Sequence, residues 1–203
     1  MTVIVRHRIN SLEDLSKIEK SFGIEVDIRS KSGELVMAHD PFLDSHTLFN
    51  DWLESYCHNL LIVNLKEEGL ELKITDQLNA SGVSNYFFLD QSFPFLIKLI
   101  HKVKYKTSIR FSDIESIHTL ENLLKNIDGK PDWVWIDSFS GNWEHLRNLS
   151  QLKQFGFKLC LASPELHGRS LDSEIDQIIS FCNVNELDAV CTKQQKDWER
   201  TLI

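Results

Sequence analysis

The sequence predicts an α/β protein, a compact (β/α)₈ TIM barrel of parallel strands that forms one domain over residues 1–203. Three features lead to this prediction: eight short apolar runs, helix-period segments between them, and ionisable residues that share one side of the strands. The apolar runs lie at 2–7, 24–28, 60–66, 85–90, 106–112, 133–138, 157–163 and 188–192. The helical segments lie near 11–22, 68–81, 93–104, 114–127, 143–154 and 171–183.

Side-chain alternation favours the barrel over an open, doubly wound sheet, the other architecture that right-handed crossovers allow. Successive strand residues point to opposite faces, so Glu25 and Asp27 share one face, opposite apolar neighbours. The same alternation groups Asn64 with Lys66, Ser108 with Arg110, and Trp135 with Asp137. Helices on both faces of an open sheet would bury these charges at high cost. In a barrel they converge on the C-terminal mouth, where active sites lie.

The segment 29–59 is less regular than the rest of the chain. It contains a turn at Ser32-Gly33 followed by a short strand, and residues 51–57 have room for one or two helical turns. Four cysteines without metal-site spacing, Cys57, Cys160, Cys182 and Cys191, are expected to be free thiols.

Charge and hydropathy argue against two classes of binding partner, nucleic acids and membranes. Lys and Arg total 22 and Asp and Glu total 30, which gives a formal charge of −8 and argues against nucleic-acid binding. No apolar run approaches the roughly 20 residues that span a bilayer. The apolar stretch at the start of the chain is too short for a signal peptide, so we expect a cytoplasmic protein without stable membrane association.

Three motifs follow one another near the start of the chain. His7-Arg8 ends the first strand, Glu25-x-Asp27 lies in the second, and a short hairpin ends in Ala38-His39-Asp40-Pro41. Their order and spacing resemble the glycerophosphodiester phosphodiesterase family of phospholipase-C-like (β/α)₈ barrels. The stretch 23–41, GIEVDIRSKSGELVMAHDP, is similar to the core signature of that family. Further on, residues 64–66 fall where the family has E-x-K, and the residues 188–192, DAVCT, resemble its D-G-I-x-T strand.

The chemistry of these residues suits a phosphodiester, whose charge a divalent cation can neutralise during hydrolysis. Glu25 and Asp27 lie two residues apart on one face, and their oxygens suit a hard cation such as Mg²⁺ or Ca²⁺. Histidine serves as acid or base at neutral pH, and the resemblance implies that His7 and His39 form that pair, with the two roles left open. The phosphate contacts are expected from Arg8, Lys66 and Arg110, with Asp40 and Asp137 in supporting positions.

The sequence departs from the family pattern at three places. Ile9 stands where the family has the glycine of HRG, which restricts the backbone there. Asn64 replaces the glutamate that the resemblance makes a metal ligand, so the ion should be held more weakly unless Asp90 restores the carboxylate. Only residues 42–59 follow the HD motif where the family inserts a small subdomain, so we expect none here.

These observations predict a metal-dependent phosphodiesterase that acts on a small glycerophosphodiester-like or related diester. The alternative is a non-catalytic barrel that binds a phosphate or phosphodiester and has a degraded metal site. A third class, an aldolase or isomerase that uses Lys66 as a Schiff base, has no support from the HD motif. The identity of the alcohol group, direct attack by water against a cyclic phosphate, and the oligomeric state stay open.

Overall fold

A computed structural model of the chain describes residues 1–42 and 46–202. The strands are β1 (Val3–Arg6), β2 (Gly23–Lys31), β3 (Glu34–Met37), β4 (Thr47–Leu48), β5 (Leu61–Leu65), β6 (Tyr86–Leu89), β7 (Ser108–Phe111), β8 (Trp133–Ile136), β9 (Lys158–Ala162) and β10 (Ala189–Thr192). The helices are α1 (Leu12–Ser16), α2 (Phe49–Glu54), α3 (Glu71–Ala80), α4 (Phe93–Leu99), α5 (Ile117–Asn126), α6 (Leu149–Gln154), α7 (Leu171–Phe181) and α8 (Gln195–Thr201). Short 3₁₀ helices cover Glu144–Asn148, Pro164–His167 and Val184–Glu186.

The chain divides into two compact units, and the unit Arg6–Thr107 contains the three sequence motifs. Its strands follow the order β4-β3-β2-β5-β6, with β2, β5 and β6 parallel to one another. Antiparallel pairing joins β3 to β2 through the turn at Ser32 and Gly33, both of which have positive φ. Two such residues between paired strands are typical of a type I′ hairpin, as the Ser-Gly dipeptide predicts.

The hydrophobic core of this unit explains how β2 presents its acidic residues. Ile24, Val26 and Ile28 are fully buried in one cluster with the apolar side chains of β5 and of helices α2 and α3. Since side chains alternate along a strand, Glu25 and Asp27 point to the other face. In register, Asp27 lies beside Asn64 of β5, which brings two of the predicted site residues together.

The second unit combines Met1–Val5 with Ser108–Ile203. Its strands follow the order β1-β10-β9-β8-β7, and β7 to β10 are parallel. The amide of Val3 joins β1 to the last crossover by donating to the carbonyl of Asp188 at 2.9 Å. Trp143 and Trp198 are fully buried, and the indole of Trp198 donates to the Ser163 hydroxyl at 2.8 Å.

All eight predicted strands are present, and strand–helix alternation confirms the mixed α/β class. The pairings within the two units do not confirm a closed parallel (β/α)₈ barrel. The four cysteines lie outside any disulfide, as expected. In the described ranges, none of the helices has the length and apolar character to cross a membrane.

Helix α1 is shorter than its sequence pattern predicts. Periodicity predicts a helix over 11–22, whereas α1 ends at Ser16. The Ser11 side chain caps its start by accepting a hydrogen bond from the Asp14 amide at 3.0 Å. The amides of Lys17 and Ile18 then bond to carbonyls three residues back instead of four, and this tightening ends the α-helix.

Candidate active site

Two buried carboxylates form the centre of the candidate site. Glu25 and Asp27 are 0% and 1% exposed on β2. The Asn64 side chain donates a hydrogen bond to the Glu25 carboxylate from the neighbouring strand. Polar groups this deeply buried need partners, and most of theirs come from segments that follow strand ends.

The segment after β1 supplies partners to Glu25. The Arg8 amide donates to Glu25 Oε2 at 2.7 Å, and His7 Nε2 lies 3.7 Å from the same oxygen. Arg8 adopts a positive φ of 57°, a strained conformation for a residue other than glycine. Ile9, which stands at the family's glycine position, is instead buried in the core, and its amide bonds to the Glu25 carbonyl. The positive φ therefore lies at Arg8, one residue before the position where the family has its glycine.

Three side chains contact the Asp27 carboxylate, one by a hydrogen bond and two as ion pairs. Asn10 donates to Oδ2 at 2.9 Å and accepts a hydrogen bond from the Asp27 amide at the same distance. The Arg8 guanidinium Nε lies 3.5 Å from Oδ2, and the Lys66 ammonium lies 3.2 Å from Oδ1 as an ion pair and not as an aligned hydrogen bond. Two of the three cations that the sequence assigns to phosphate, Arg8 and Lys66, thus lie beside this carboxylate.

His39 is held in place by its neighbour and by a cation on β2. Its Nδ1 lies 2.8 Å from Asp40 Oδ1, and this hydrogen bond lowers the pKa of the Asp40 carboxyl. Arg29 donates from Nε and Nη2 to the His39 carbonyl at 3.1 Å, and from Nη1 to the Lys66 carbonyl at 3.2 Å. Arg29 therefore joins the segment after β3 to the segment after β5.

The donor set fits a hard cation. Burial, with the charge of Asp27, raises the pKa of Glu25 to about 8. Glu25 Oε1 and Asn64 Oδ1 are buried and have no hydrogen-bond partner among the described residues. Two carboxylates and one amide oxygen are ligands that Mg²⁺ and Ca²⁺ accept. Over residues 1–42 and 46–202, no three His, Cys, Asp or Glu side chains lie close enough together to bind one metal ion. A cation at Glu25 and Asp27 would therefore need the amide oxygen of Asn64 as a third ligand.

Asp90, the residue expected to restore the missing carboxylate, lies beyond the end of β6. It is exposed, has a positive φ of 63°, and lines a surface pocket together with Lys66. The structure thus places Asn64 beside Glu25 and Asp27, and Asp90 in a pocket that Lys66 also lines.

Two further predicted residues lie in the other unit. Asp137 is buried at the end of β8, where it accepts hydrogen bonds from Arg110, the Trp135 indole and His167. Burial would raise the pKa of Asp137, but the bond from His167 and the charge of Arg110 lower it overall. The Arg110 Nε also lies 3.8 Å from Glu115, so this guanidinium contacts two carboxylates. Its contact with phosphate stays a prediction.

Two residues that position this site, Asn10 and Arg29, are not apparent from the sequence motifs. For Arg29 a signal exists, because it continues the alternation that places Glu25 and Asp27 on one side of β2. For Asn10 the signal is weak, since an asparagine before a serine and a helix reads as part of a helix cap. Its contact with Asp27 spans 17 residues of sequence, which no local pattern reveals.

Comparisons with known proteins place the fold. No protein-family model matches the sequence, and no curated protein matches it. A solved glycerophosphoryl diester phosphodiesterase from Parabacteroides distasonis is similar at a TM-score of 0.71 and 12% identity, over 100% of this chain and 87% of that one. A glycerophosphodiester phosphodiesterase from Agrobacterium tumefaciens is similar at a TM-score of 0.60 and 12% identity, over 95% and 96% of the two chains. The chain therefore shares the fold of solved glycerophosphodiester phosphodiesterases, which confirms at the level of fold the resemblance that the motifs indicate.

Proposed function

We propose that this chain is a metal-dependent phosphodiesterase of the glycerophosphodiester phosphodiesterase family, and that it hydrolyses a small glycerophosphodiester-like or related diester. One observation carries the proposal: the two buried carboxylates, Glu25 and Asp27, lie among His7, Arg8 and Lys66. The closed (β/α)₈ barrel and the cytoplasmic location predicted from sequence remain parts of this proposal.

A divalent cation would be held by Glu25, Asp27 and Asn64, and it would neutralise charge on the phosphoryl oxygens. Arg8 and Lys66 supply a planar fork and a point charge for the same phosphate. Both contact Asp27, which keeps their charged groups beside the carboxylates. The site thus gathers positive charge where a diester anion needs it.

His7 and His39 serve as the acid–base pair in this proposal. Since Asp40 accepts a hydrogen bond at His39 Nδ1, the proton on that ring lies at Nδ1 and Nε2 becomes the atom that exchanges a proton with substrate. Arg29 fixes the backbone of His39 through its carbonyl. Kinetic measurements would show which histidine is the base and which is the acid. They would also show whether water or a neighbouring hydroxyl of the substrate is the nucleophile.

A second function, binding of a phosphodiester without hydrolysis, is favoured by one specific observation. Asn64 supplies no charge where the family has a carboxylate, and the Lys66 ammonium lies 3.2 Å from Asp27. An ammonium beside the carboxylate partly offsets the charge that would attract a divalent ion. A binding protein of this kind would keep affinity for diesters and show no turnover.

Histidine variants distinguish the two functions. Phosphorus NMR would follow a panel of diesters, glycerophosphodiesters included, with wild type, His7→Ala, His39→Ala and a control, His118→Ala, which alters an exposed histidine. We expect turnover in wild type and in the control, and a loss of about 10²-fold or more in the two site variants. Wild-type rates in either site variant would refute the acid–base assignment. Diester binding without turnover in wild type would establish the binding protein.

A further inference from the structure

An acidic pocket adjoins the candidate site on the side of Lys66. It has a volume of about 330 Å³ and lies beyond the carboxyl ends of β5 and β6. Four acidic residues line it, together with one lysine: Glu67, Glu68, Glu71, Asp90 and Lys66. A pocket of this size holds a small organic molecule.

Two of the charged residues that line this pocket, Lys66 and Glu67, also contact neighbouring side chains or backbone groups. The Lys66 ammonium lies 3.2 Å from Asp27 Oδ1. The Glu67 carboxylate accepts hydrogen bonds from the Ser30 amide and hydroxyl and lies 3.6 Å from Arg29 Nη1. Four acidic residues and one lysine line the pocket, so its lining carries an excess of negative charge, which favours a cationic ligand.

Glu71, the first residue of α3, is the feature that points to a ligand. Its side chain is buried, at 1% exposure, and its Oε1 accepts a hydrogen bond from the Gln91 amide at 3.0 Å. Gln91 is fixed in turn, because its own oxygen accepts a hydrogen bond from the Thr107 hydroxyl. Glu71 Oε2 has no hydrogen-bond partner within residues 1–42 and 46–202, and neither has the buried Ser92 hydroxyl of the same pocket. Buried carboxylate oxygens are costly without a donor, so this atom calls for one.

We propose that this pocket binds a primary ammonium group, which donates a hydrogen bond to Glu71. A quaternary ammonium carries the same charge but has no N–H to donate, so it would leave Oε2 unsatisfied. A metal ion is the poorer occupant, since the described side chains include no group of three metal-ligating residues. The selectivity between these two ammonium classes is the distinguishing property of the site.

The ammonium group can come from two sources with this chemistry. It can be the alcohol portion of a diester substrate whose phosphate lies beside Lys66, and this source rests on the proposed phosphodiesterase function. It can also be a free small amine that binds beside the site. Lys66 lines the pocket and also contacts Asp27. An amine from either source would therefore lie next to the residue that joins the pocket to the candidate site.

Calorimetry with 2-aminoethanol and with tetramethylammonium tests the proposal without any need for turnover. The variants are Glu71→Gln, which keeps an acceptor for the Gln91 amide, and Asp76→Asn, an equal charge change at an exposed position of the same helix. We expect 2-aminoethanol to bind wild type and Asp76→Asn alike, and Glu71→Gln about tenfold or more weakly. Tetramethylammonium should bind all three weakly.

Equal binding of 2-aminoethanol to wild type and Glu71→Gln, or equal binding of the two ammonium compounds to wild type, would overturn the proposal. Should Glu71→Gln fail to fold, amide NMR shifts of wild type decide, since 2-aminoethanol must move signals of residues 66–71 and 90–92. Competition with diester hydrolysis identifies the source: inhibition assigns the pocket to the substrate alcohol, and binding without inhibition assigns it to a free amine. Binding without any diester turnover would refute the proposed function and leave this inference standing.

Discussion

Glu25 makes the stability of the cation-free protein depend on pH. Burial, with the charge of Asp27, raises the pKa of this carboxyl from 4.5 to about 8. Between those pH values the folded state keeps a proton that the unfolded state has released. The free energy of unfolding should therefore decrease as the pH rises from about 5 to about 8.

The size of this effect follows from the same numbers. Each pKa unit corresponds to about 1.4 kcal/mol, so the difference between 4.5 and about 8 sets an upper limit of about 5 kcal/mol. Relaxation and water penetration reduce the cost of burying an ionised group. We therefore expect a measured loss of roughly 2–3 kcal/mol across this pH range.

Urea unfolding at pH 5, 6, 7 and 8 in EDTA measures this dependence for wild type and Glu25→Gln. Glutamine keeps an acceptor for the Arg8 amide and has no proton to release. The stability difference between the two proteins should change by the expected 2–3 kcal/mol, whereas Glu34→Gln, at an exposed glutamate, should run parallel to wild type. Parallel curves for wild type and Glu25→Gln would refute the reasoning.

Three further predictions concern residues outside the motifs. Asn10→Ala removes two hydrogen bonds from Asp27 and should lower the free energy of unfolding by about 1–3 kcal/mol, measured in urea. Arg29→Lys keeps the charge but cannot span two carbonyls, so turnover should fall about 10–100-fold as His39 loses its position, measured by phosphorus NMR. Burial lowers the pKa of His145, so the unfolded state binds the extra proton and stability should fall as the pH drops from 7 to 5, a dependence absent in His145→Gln.

Each of these predictions has a result that would contradict it, and the first also has a control variant. Asn79→Ala, at an exposed asparagine of α3, should change stability by less than about 0.5 kcal/mol, and an equal value for Asn10→Ala would contradict the role of that side chain. Unchanged turnover in Arg29→Lys would show that the two carbonyl contacts do not position His39. A pH profile of His145→Gln identical to that of wild type would remove His145 as the titrating group.

Local periodicity predicts most of the fold, because a strand with one buried face has apolar residues at every second position. Ile24, Val26 and Ile28 alternate with Glu25 and Asp27, and the structure buries the first set in the core of the unit Arg6–Thr107. The Ser32-Gly33 turn is equally local, since two residues with positive φ suffice for the hairpin. Closure of a barrel depends on pairing between distant strands, which periodicity does not specify.

Long-range contacts explain what the sequence leaves out of the site. The hydrogen bonds from Arg29 to the carbonyls of His39 and Lys66 span 10 and 37 residues of sequence. Every residue has a backbone carbonyl, so the identity of the partner residue does not reveal such a bond. Arg8 has a positive φ and donates its amide to Glu25, but no glycine marks this backbone conformation in the sequence. Glu71 resembles an ordinary first-turn helix residue in sequence, and only the structure shows that its buried Oε2 has no hydrogen-bond partner among the described residues.

The central claim is that Glu25, Asp27 and Asn64 hold a divalent cation that phosphodiester hydrolysis requires. Phosphorus NMR of glycerophosphodiester turnover by EDTA-treated protein, before and after addition of Mg²⁺ or Ca²⁺, tests it most directly. The account predicts no turnover in EDTA and recovery with one of the two ions in wild type, but not in Asp27→Asn. Turnover that persists in EDTA, or that recovers equally in Asp27→Asn, would contradict it.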